Sequence, residues 1–532
     1  MPKTQNIDPK EVRKPGFITF GKIPVNQYSK TIADERGNYS DADFIRIYRD
    51  MVIIREFETM LNSIKTKNEY RGIQYNHPGP AHLSIGQEAA AVGMAYTLGT
   101  DDYIFGSHRS HGEIIAKGLS AINKLDEDAL YQIMKNYFGG STLKVVEKDF
   151  NGEIKELAVH FLLYGALAEI FARETGFNKG LGGSMHAFFT PFGIYPNNAI
   201  VGGSGDISVG AALYKKINNK SGIVVCNIGD ASMACGPVWE GICFATMDQY
   251  RKLWSGEYQG GLPLIFNFMN NFYGMGGQTY GETMGFGILA RVGAGVNPDM
   301  MHAERIDGYN PLAVIDAFRR KRKILEEKKG PVLLDTLTYR FSGHSPSDAS
   351  SYRTKEELEA WMQEDSITAY GKSLVEAGIT SQETLNEIWE NTTELITHIL
   401  RLSVDPKVSP HIDLESDRDA IGKMMFSNKQ IEKLDDRQPE TLLPFEENPR
   451  VKAIKGKERF YLDKNGNPVS KAKLYQLRDG IFEAIIDRFY KDPTLVAWGE
   501  ENRDWGGAFA VYRGLTEALP YHRLFNTPIA EG

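Results

Sequence analysis

A chain of 532 residues is too long for one hydrophobic core; at ~150 residues per domain, three or so folding units are expected. Its 42% hydrophobic and 24% charged content excludes a mainly disordered chain, and a net charge of −8 argues against nucleic acid as the main partner, which calls for clustered Lys and Arg. The three cysteines, Cys226, Cys235 and Cys243, form no CxxC pair, the N-terminal segment MPKTQNIDPKEVRKPG has no apolar core, and no long apolar run follows, so the expectation is a cytoplasmic protein without a secretory signal or membrane span.

Residues 1–40 are polar and loop-like and read as an N-terminal arm. DADFIRIYRDMVIIREFETMLNSI (41–64) has apolar residues at helical spacing after an Asp start and predicts a long helix. Residues 72–112 are rich in Gly, His and Pro around a helix at QEAAAVGMAYTL, and 124–174 reads as helices around the polar turn EKDFNGEIKE. The stretch 176–210 is dense in glycine yet too mixed in aromatic and apolar residues for a linker, so it predicts a folded loop region. From 223 to 340, IVVCNIG, VWEGICFATM, LPLIFNFM, PLAVIDAFRRKRKIL and PVLLDTLTYR alternate strand and helix, the pattern of a parallel sheet with crossover helices. Amphipathic helices fill 353–403. Residues 405–472 are polar and Pro-rich (DRQPETLLPFEENPR) and read as an interdomain linker, before LYQLRDGIFEAIIDRFYKDPTLVAWGEE begins a helix followed by a strand. The expected organisation is an arm (1–40), a main α/β domain (41–404), a linker (405–472) and a second, incomplete α/β domain (473–532), with no internal repeat.

Two strand ends carry the chemistry. IVVCNIG runs into Asp230, and LIFNFMN runs into Asn271. If the two strands are neighbours in one parallel sheet, both ends share the rim where open α/β sheets bind ligands. A carboxylate, an amide oxygen and a nearby backbone carbonyl suit a hard divalent ion, since Mg2+ takes oxygen ligands at about 2.0–2.1 Å and completes its shell with substrate phosphates. Gly-Asp and Asn-Asn pairs also end many ordinary strands, so the pair alone leaves a structural turn open.

The arrangement strand–Gly-Asp, helix, strand–Asn-Asn resembles the thiamine diphosphate motif. Its flanks, MVIIREFE (51–58), HLSIGQEAAAVGMA (82–95), HRSHGEIIAKGL (108–119), GLGGSMH (180–186), NNFYGMG (270–276) and YRFSGHSPSDASSYRTKEEL (339–358), resemble in order the alpha-type first component of 2-oxo acid dehydrogenase complexes, the pyruvate, branched-chain and acetoin dehydrogenases. The resemblance implies a thiamine diphosphate-binding fold, a parallel sheet flanked by helices. It implies Mg2+ on Asp230, Asn271 and the Tyr273 carbonyl, cofactor diphosphate on Arg109 with His108, Ala231 and Ser232 beside it, and Val201 at the aminopyrimidine. His82 and His344 match histidines that face the reacting carbon, with His186 as a weaker match. The implied reaction is oxidative decarboxylation of a 2-oxo acid with transfer to a lipoyl group on a dihydrolipoyl acyltransferase partner. Acetoin dehydrogenase is the alternative within the family.

Three departures stand out. The usual Gly-Asp-Gly is Gly-Asp-Ala here, which matters only if Ala231 needs a positive φ. The usual tyrosine before the arginine is His108. Asp230 and Asn271 are further apart in sequence than usual, YRKLWSGEYQGG (250–261) looks inserted, as does 124–165, and neither removes a candidate site residue; the sequence leaves their role open. LRDGIFEAI (477–485), VAWGEENRDWGGAFAVYRGL (496–515) and RLFNTPIAEG (523–532) resemble the start of the beta-type subunit, so the chain reads as an alpha–beta fusion. Glu531 matches the acid that bonds the aminopyrimidine and assists its proton transfers, and Glu500, with Glu501 as alternative, another acid near the cofactor. A chain ending at Gly532 would be a truncated subunit, inactive alone, that pairs with beta-type chains or assembles as a homo-oligomer. GKS at 371–373 lacks the strand and the glycine of a P-loop, and GGSGDISVG does not fit a dinucleotide fingerprint.

Overall fold

The computed structural model describes residues 7–148, 150–296, 302–425, 435–457, 462–467 and 476–530. Five strands, β1 (Tyr103–Phe105), β2 (Val224–Gly229), β3 (Leu264–Asn270), β4 (His302–Asp307) and β5 (Val332–Leu337), form one sheet in the order β1-β2-β3-β5-β4, every pairing parallel. This is the expected α/β architecture. Strands β1 and β4 are additions to the sequence reading. β1 is three residues long, too short for a period to register. β4 is polar because its side chains are paired: Glu304 with Arg320 and Lys321, and Arg305 with Asp335.

Alternate residues of β2, β3 and β5 face opposite layers, as the two-residue period of a strand requires. Val225, Ile265, Val332 and Leu334 pack against α1 (Asp41–Lys67), α2 (Glu88–Tyr96), α3 (His111–Lys124), α4 (Ile154–Ile170), α7 (Pro311–Glu326) and α8 (Gln382–Val404). Cys226, Ile228, Phe266, Phe268 and Leu333 pack against α5 (Ser204–Ile217) and α6 (Gly236–Ala245). With both faces covered, the strands read as continuous apolar runs. Helix α1 starts at Asp41, as predicted, behind a capping box of Ser40 with Asp43, and stops where Asn68 turns left-handed at φ 55°. Among the described residues, no helix is long and apolar enough to cross a membrane.

Two of the recognised segments meet in a buried ion pair. Arg55 of α1 donates to both oxygens of Glu88 on α2, at 2.5 and 3.0 Å, and to Asp365 at 2.7 Å. Glu88 also accepts the Gly86 N–H, which fixes the turn into α2. These charges hold the segments together; they are remote from chemistry.

The C-terminal unit consists of α9 (Leu477–Lys491) and a two-stranded parallel sheet, β6 (Ala497–Glu500) and β7 (Leu524–Thr527). The end of the predicted linker belongs to it. Helix Pro449–Lys455 buries Val451 and Ile454 against Phe482, Ile486 and Leu519, with Asn448 as its cap. These apolar positions lie among prolines and charges, which hid their helical spacing. The 250–261 insert docks this unit on the main domain. Trp254 packs edge-on against Phe525 at 5.2 Å, Tyr258 stacks on His522 at 3.7 Å, and the Tyr258 hydroxyl donates to Glu440 at 2.8 Å. The insert therefore joins two units, and none of its residues lines the cavity described below.

Removing Arg55 leaves two buried carboxylates without their cation. Arg55→Ala should lower stability by about 3–5 kcal/mol, read as a shift in the urea midpoint at unchanged slope.

Candidate active site

The register of β2 and β3 pairs Gly229 with Met269, so the chain leaves both strands at one level. Beyond that level lies a cavity of about 440 Å3. His82, His108, Arg109, Val201, Asp230, Ala231, Ser232, Asn271, Tyr273 and His344 all line it. They come from the loops before α2, after β1, before α5, and after β2, β3 and β5.

Asp230 is 1% exposed and meets no cation among the described residues. Its carboxylate accepts the Asn271 N–H at 3.3 Å and the Thr279 hydroxyl at 2.6 Å. Burial raises its pKa to about 6, and those two hydrogen bonds oppose the rise. The Asn271 side-chain oxygen accepts the Tyr273 N–H at 3.3 Å, which keeps the amide oxygen beside the carboxylate. The preceding Asn270 is committed elsewhere: it donates to buried Asp335, which also anchors Leu289 and Arg305. Ala231 lies in the short turn Asp230–Ala234 without a positive φ, so alanine fits where the motif usually has glycine.

Two guanidiniums line the same cavity. Arg109 donates to the carbonyls of Leu83 and His344, both at 2.8 Å, and Arg340 to the Gly274 carbonyl and the Tyr352 hydroxyl. Both are buried, and among the described residues neither pairs with a carboxylate. Burial, with Arg340 nearby, lowers the Arg109 pKa to about 9. A buried carboxylate without a cation and two buried cations without an anion are costly unless a ligand supplies the opposite charges. The donor set thus fits a hard cation on the Asp230 side and an anion on the arginine side.

His82, His108 and His344 sit together, with ring centroids 4.6, 5.0 and 5.4 Å apart. Burial, and then neighbouring charge, lowers their pKa values to about 2, 3 and 4, respectively, so all three imidazoles are neutral. The His344 loop is braced. Asp348 accepts the His344 N–H and the Tyr352 hydroxyl, and Arg353 donates to the carbonyls of Arg340 and Ser342. These cross-links hold the loop in place.

The glycine-rich loop wraps around one carboxylate. Glu169, fully buried at the end of α4, accepts the N–H groups of Asn178, Gly180, Gly182 and Gly183. Gly180 has φ +74°, and a Cβ there would meet the Ala172 carbonyl carbon at 2.4 Å, so no other residue fits. Ser184, next along the loop, bonds His111, whose other nitrogen faces Glu58. His186 bonds the Asn197 carbonyl and stays off the cavity wall.

Glu500 is not brought to this site. It lines a second cavity with Asp206, Glu240 and Trp498, between α5, α6 and the C-terminal sheet. The neighbouring Glu501 lines neither cavity. Glu531 lies outside the described residues. Arg340, Thr279 and Glu113 are site residues that motif matching passed over. Arg340 was within a quoted segment but lacked a partner to signal its role. Thr279 and Glu113 become neighbours of the strand ends only through folding.

A model of the family described as dehydrogenase E1 component matches residues 49–410. The pyruvate dehydrogenase E1 component subunit alpha of Rickettsia bellii is 27% identical over 361 residues, 68% of this chain and 91% of the relative. The same subunit of Rhizobium meliloti is 27% identical over 386 residues, 72% of this chain and 92% of the relative. The mitochondrial type II alpha subunit of Ascaris suum is 28% identical over 348 residues, covering 65% and 71%.

Glu113 offers a direct check on the cavity's dryness. Burial raises its pKa from the ordinary 4.5 to about 8. A folded-state value above the unfolded one means the native state binds the extra proton, so this group's contribution is full below pH 4.5 and is lost as pH rises through about 8. Thermal melts across that window should show Glu113→Gln losing less stability with rising pH than the unaltered chain; parallel curves would mean that Glu113 is solvated.

Proposed function

The chain belongs to the dehydrogenase E1 component family, as an alpha-type member, and we propose that it catalyses the thiamine diphosphate- and Mg2+-dependent oxidative decarboxylation of a 2-oxo acid, with transfer of the acyl group to a lipoyl-bearing acyltransferase. The observation that carries this reading is the charge pattern of one cavity: a buried, cation-free carboxylate beside two buried guanidiniums without anions, at the carboxyl ends of adjacent parallel strands. A metal–diphosphate group has the charges that this pattern lacks.

In this reading Asp230, Asn271 and the Tyr273 carbonyl hold Mg2+. Arg109 and Arg340 neutralise the diphosphate, assisted by His108, Ala231 and Ser232, and Val201 contacts the aminopyrimidine through its backbone. Thiamine diphosphate, when bound, supplies a nucleophilic carbon and an electron sink for the departing CO2. His82 and His344 are neutral, so each can donate or accept a hydrogen bond at the substrate without bringing a fixed charge to the anionic 2-oxo acid. The acid that serves the aminopyrimidine is assigned to a beta-type segment. Glu531 holds that role in this chain, as its match to the beta-type acid implies.

The full chain, supplied with a beta-type partner and assayed with an artificial electron acceptor against pyruvate, branched-chain 2-oxo acids and acetoin, should turn over a 2-oxo acid. Turnover of acetoin alone would move the assignment to the alternative within the family. Asp230→Ala should abolish Mg2+-dependent cofactor binding, followed by tryptophan fluorescence, while leaving the circular dichroism spectrum unchanged; unchanged affinity would remove Asp230 from the metal site. His344→Ala should slow acyl transfer to the lipoyl acceptor on the order of 100-fold or more with little change in cofactor affinity, whereas equal losses in both would make His344 a structural residue.

A further inference from the structure

We propose that His82, His108 and His344 form a second metal site, one that binds a divalent transition ion of the Zn2+ class through three imidazole nitrogens. One ring nitrogen from each residue can be chosen so that all lie within 4.8 Å of one another. The Nδ1 atoms of His82 and His344 are buried and have no hydrogen-bond partner. A histidine packed for its shape alone usually gives its buried nitrogen to a carbonyl or a carboxylate, as His111 does with Glu58 and Ser184 in the same domain.

The three ligands come from separate loops, before α2, after β1 and after β5, so the sheet's rim converges them. Two of those loops are fixed from outside the cluster. Arg109, next to His108, ties its own loop to the carbonyls of Leu83 and His344, and Asp348 holds the His344 N–H. Ions sort by donor type: Mg2+ selects the oxygens at Asp230 and Asn271, whereas Zn2+, Co2+ and Ni2+ accept imidazole at about 2.0–2.1 Å. The 4.8 Å spread closes around such an ion with small side-chain rotations. Three protein ligands leave a fourth position open, and the guanidiniums of Arg109 and Arg340 in the same cavity favour an anion there, such as hydroxide or a phosphate oxygen. Because His82 and His344 are assigned above to the reacting centre, an ion held by them blocks it, so the site is inhibitory; this last consequence rests on the proposed function, whereas metal binding itself does not.

The full chain, treated with chelator and freed of thiamine diphosphate and Mg2+, is titrated with Co2+. One equivalent should bind with the visible bands of a low-coordinate, imidazole-ligated ion, and Zn2+ should displace it. His82→Gln, His108→Tyr and His344→Gln should each weaken binding by about tenfold or more. X-ray absorption of the Zn2+-loaded, unaltered chain requires no variant to fold and should show a first shell of nitrogen and oxygen with the scattering pattern of three imidazoles. The proposal is overturned if Co2+ does not saturate, if the three substitutions leave its affinity unchanged, or if the spectra show sulfur ligation by the free cysteines.

Discussion

The site depends on the in-register parallel pairing of β2 with β3. That pairing brings Asp230 and Asn271, 41 residues apart along the chain, within one hydrogen bond of each other. A one-residue slip would turn Asn271 to the opposite face and separate the pair. The register is strongly specified because both strands are buried on both sides, and a polar rung inside the sheet reinforces it. Asn267 donates to Asn227 at 2.7 Å and accepts from Thr336 at 2.6 Å, linking β2, β3 and β5. Asn270 then pins the end of β3 to Asp335. Cavity, charge pattern and loop placement follow from strands held at this level.

The same geometry explains why the cavity is so strongly polarised. Asp230 is held by hydrogen bonds rather than an ion pair, and Arg109 and Arg340 donate to carbonyls and a hydroxyl rather than to carboxylates. Neutral partners position these groups, and only weaker, longer-range attractions, Arg340 to Asp230 and Glu58 to Arg109, act between them and opposite charges. The three imidazoles between them stay neutral for the same reason that Glu113 stays protonated: burial penalises the charged form of each. The cavity therefore separates an oxygen-rich end from a nitrogen-rich one, and metals of different hardness would sort between them.

Much of this was legible in the sequence, for reasons that differ by residue. Asp230 and Asn271 announced themselves because each follows a mainly apolar run, and such runs locate strand ends well. The strand His302–Asp307 did not, because four of its six residues are polar, with Glu304 and Arg305 satisfied by ion pairs that only the fold creates. Arg340 and Glu113 were opaque because their importance lies in burial without an ion-pair partner, and sequence cannot show a missing partner. The linker boundary failed where Val451 and Ile454 make a short helix face among prolines. The role of 250–261 was not legible, because Trp254 and Tyr258 find their partners Phe525 and His522 in the C-terminal unit only through folding. Glu500 matched a motif yet faces another cavity, a case in which local resemblance and tertiary position part.

The central claim is that one buried carboxylate and two buried guanidiniums await a metal-bound diphosphate. A crystal structure of the full chain grown with thiamine diphosphate and Mg2+ tests it most directly. The account predicts an octahedral ion on Asp230, Asn271 and the Tyr273 carbonyl, bridging to a diphosphate whose other oxygens meet Arg109. A cofactor bound elsewhere, or a saturated crystal in which Asp230 keeps only its bonds to Thr279 and Asn271, would contradict it.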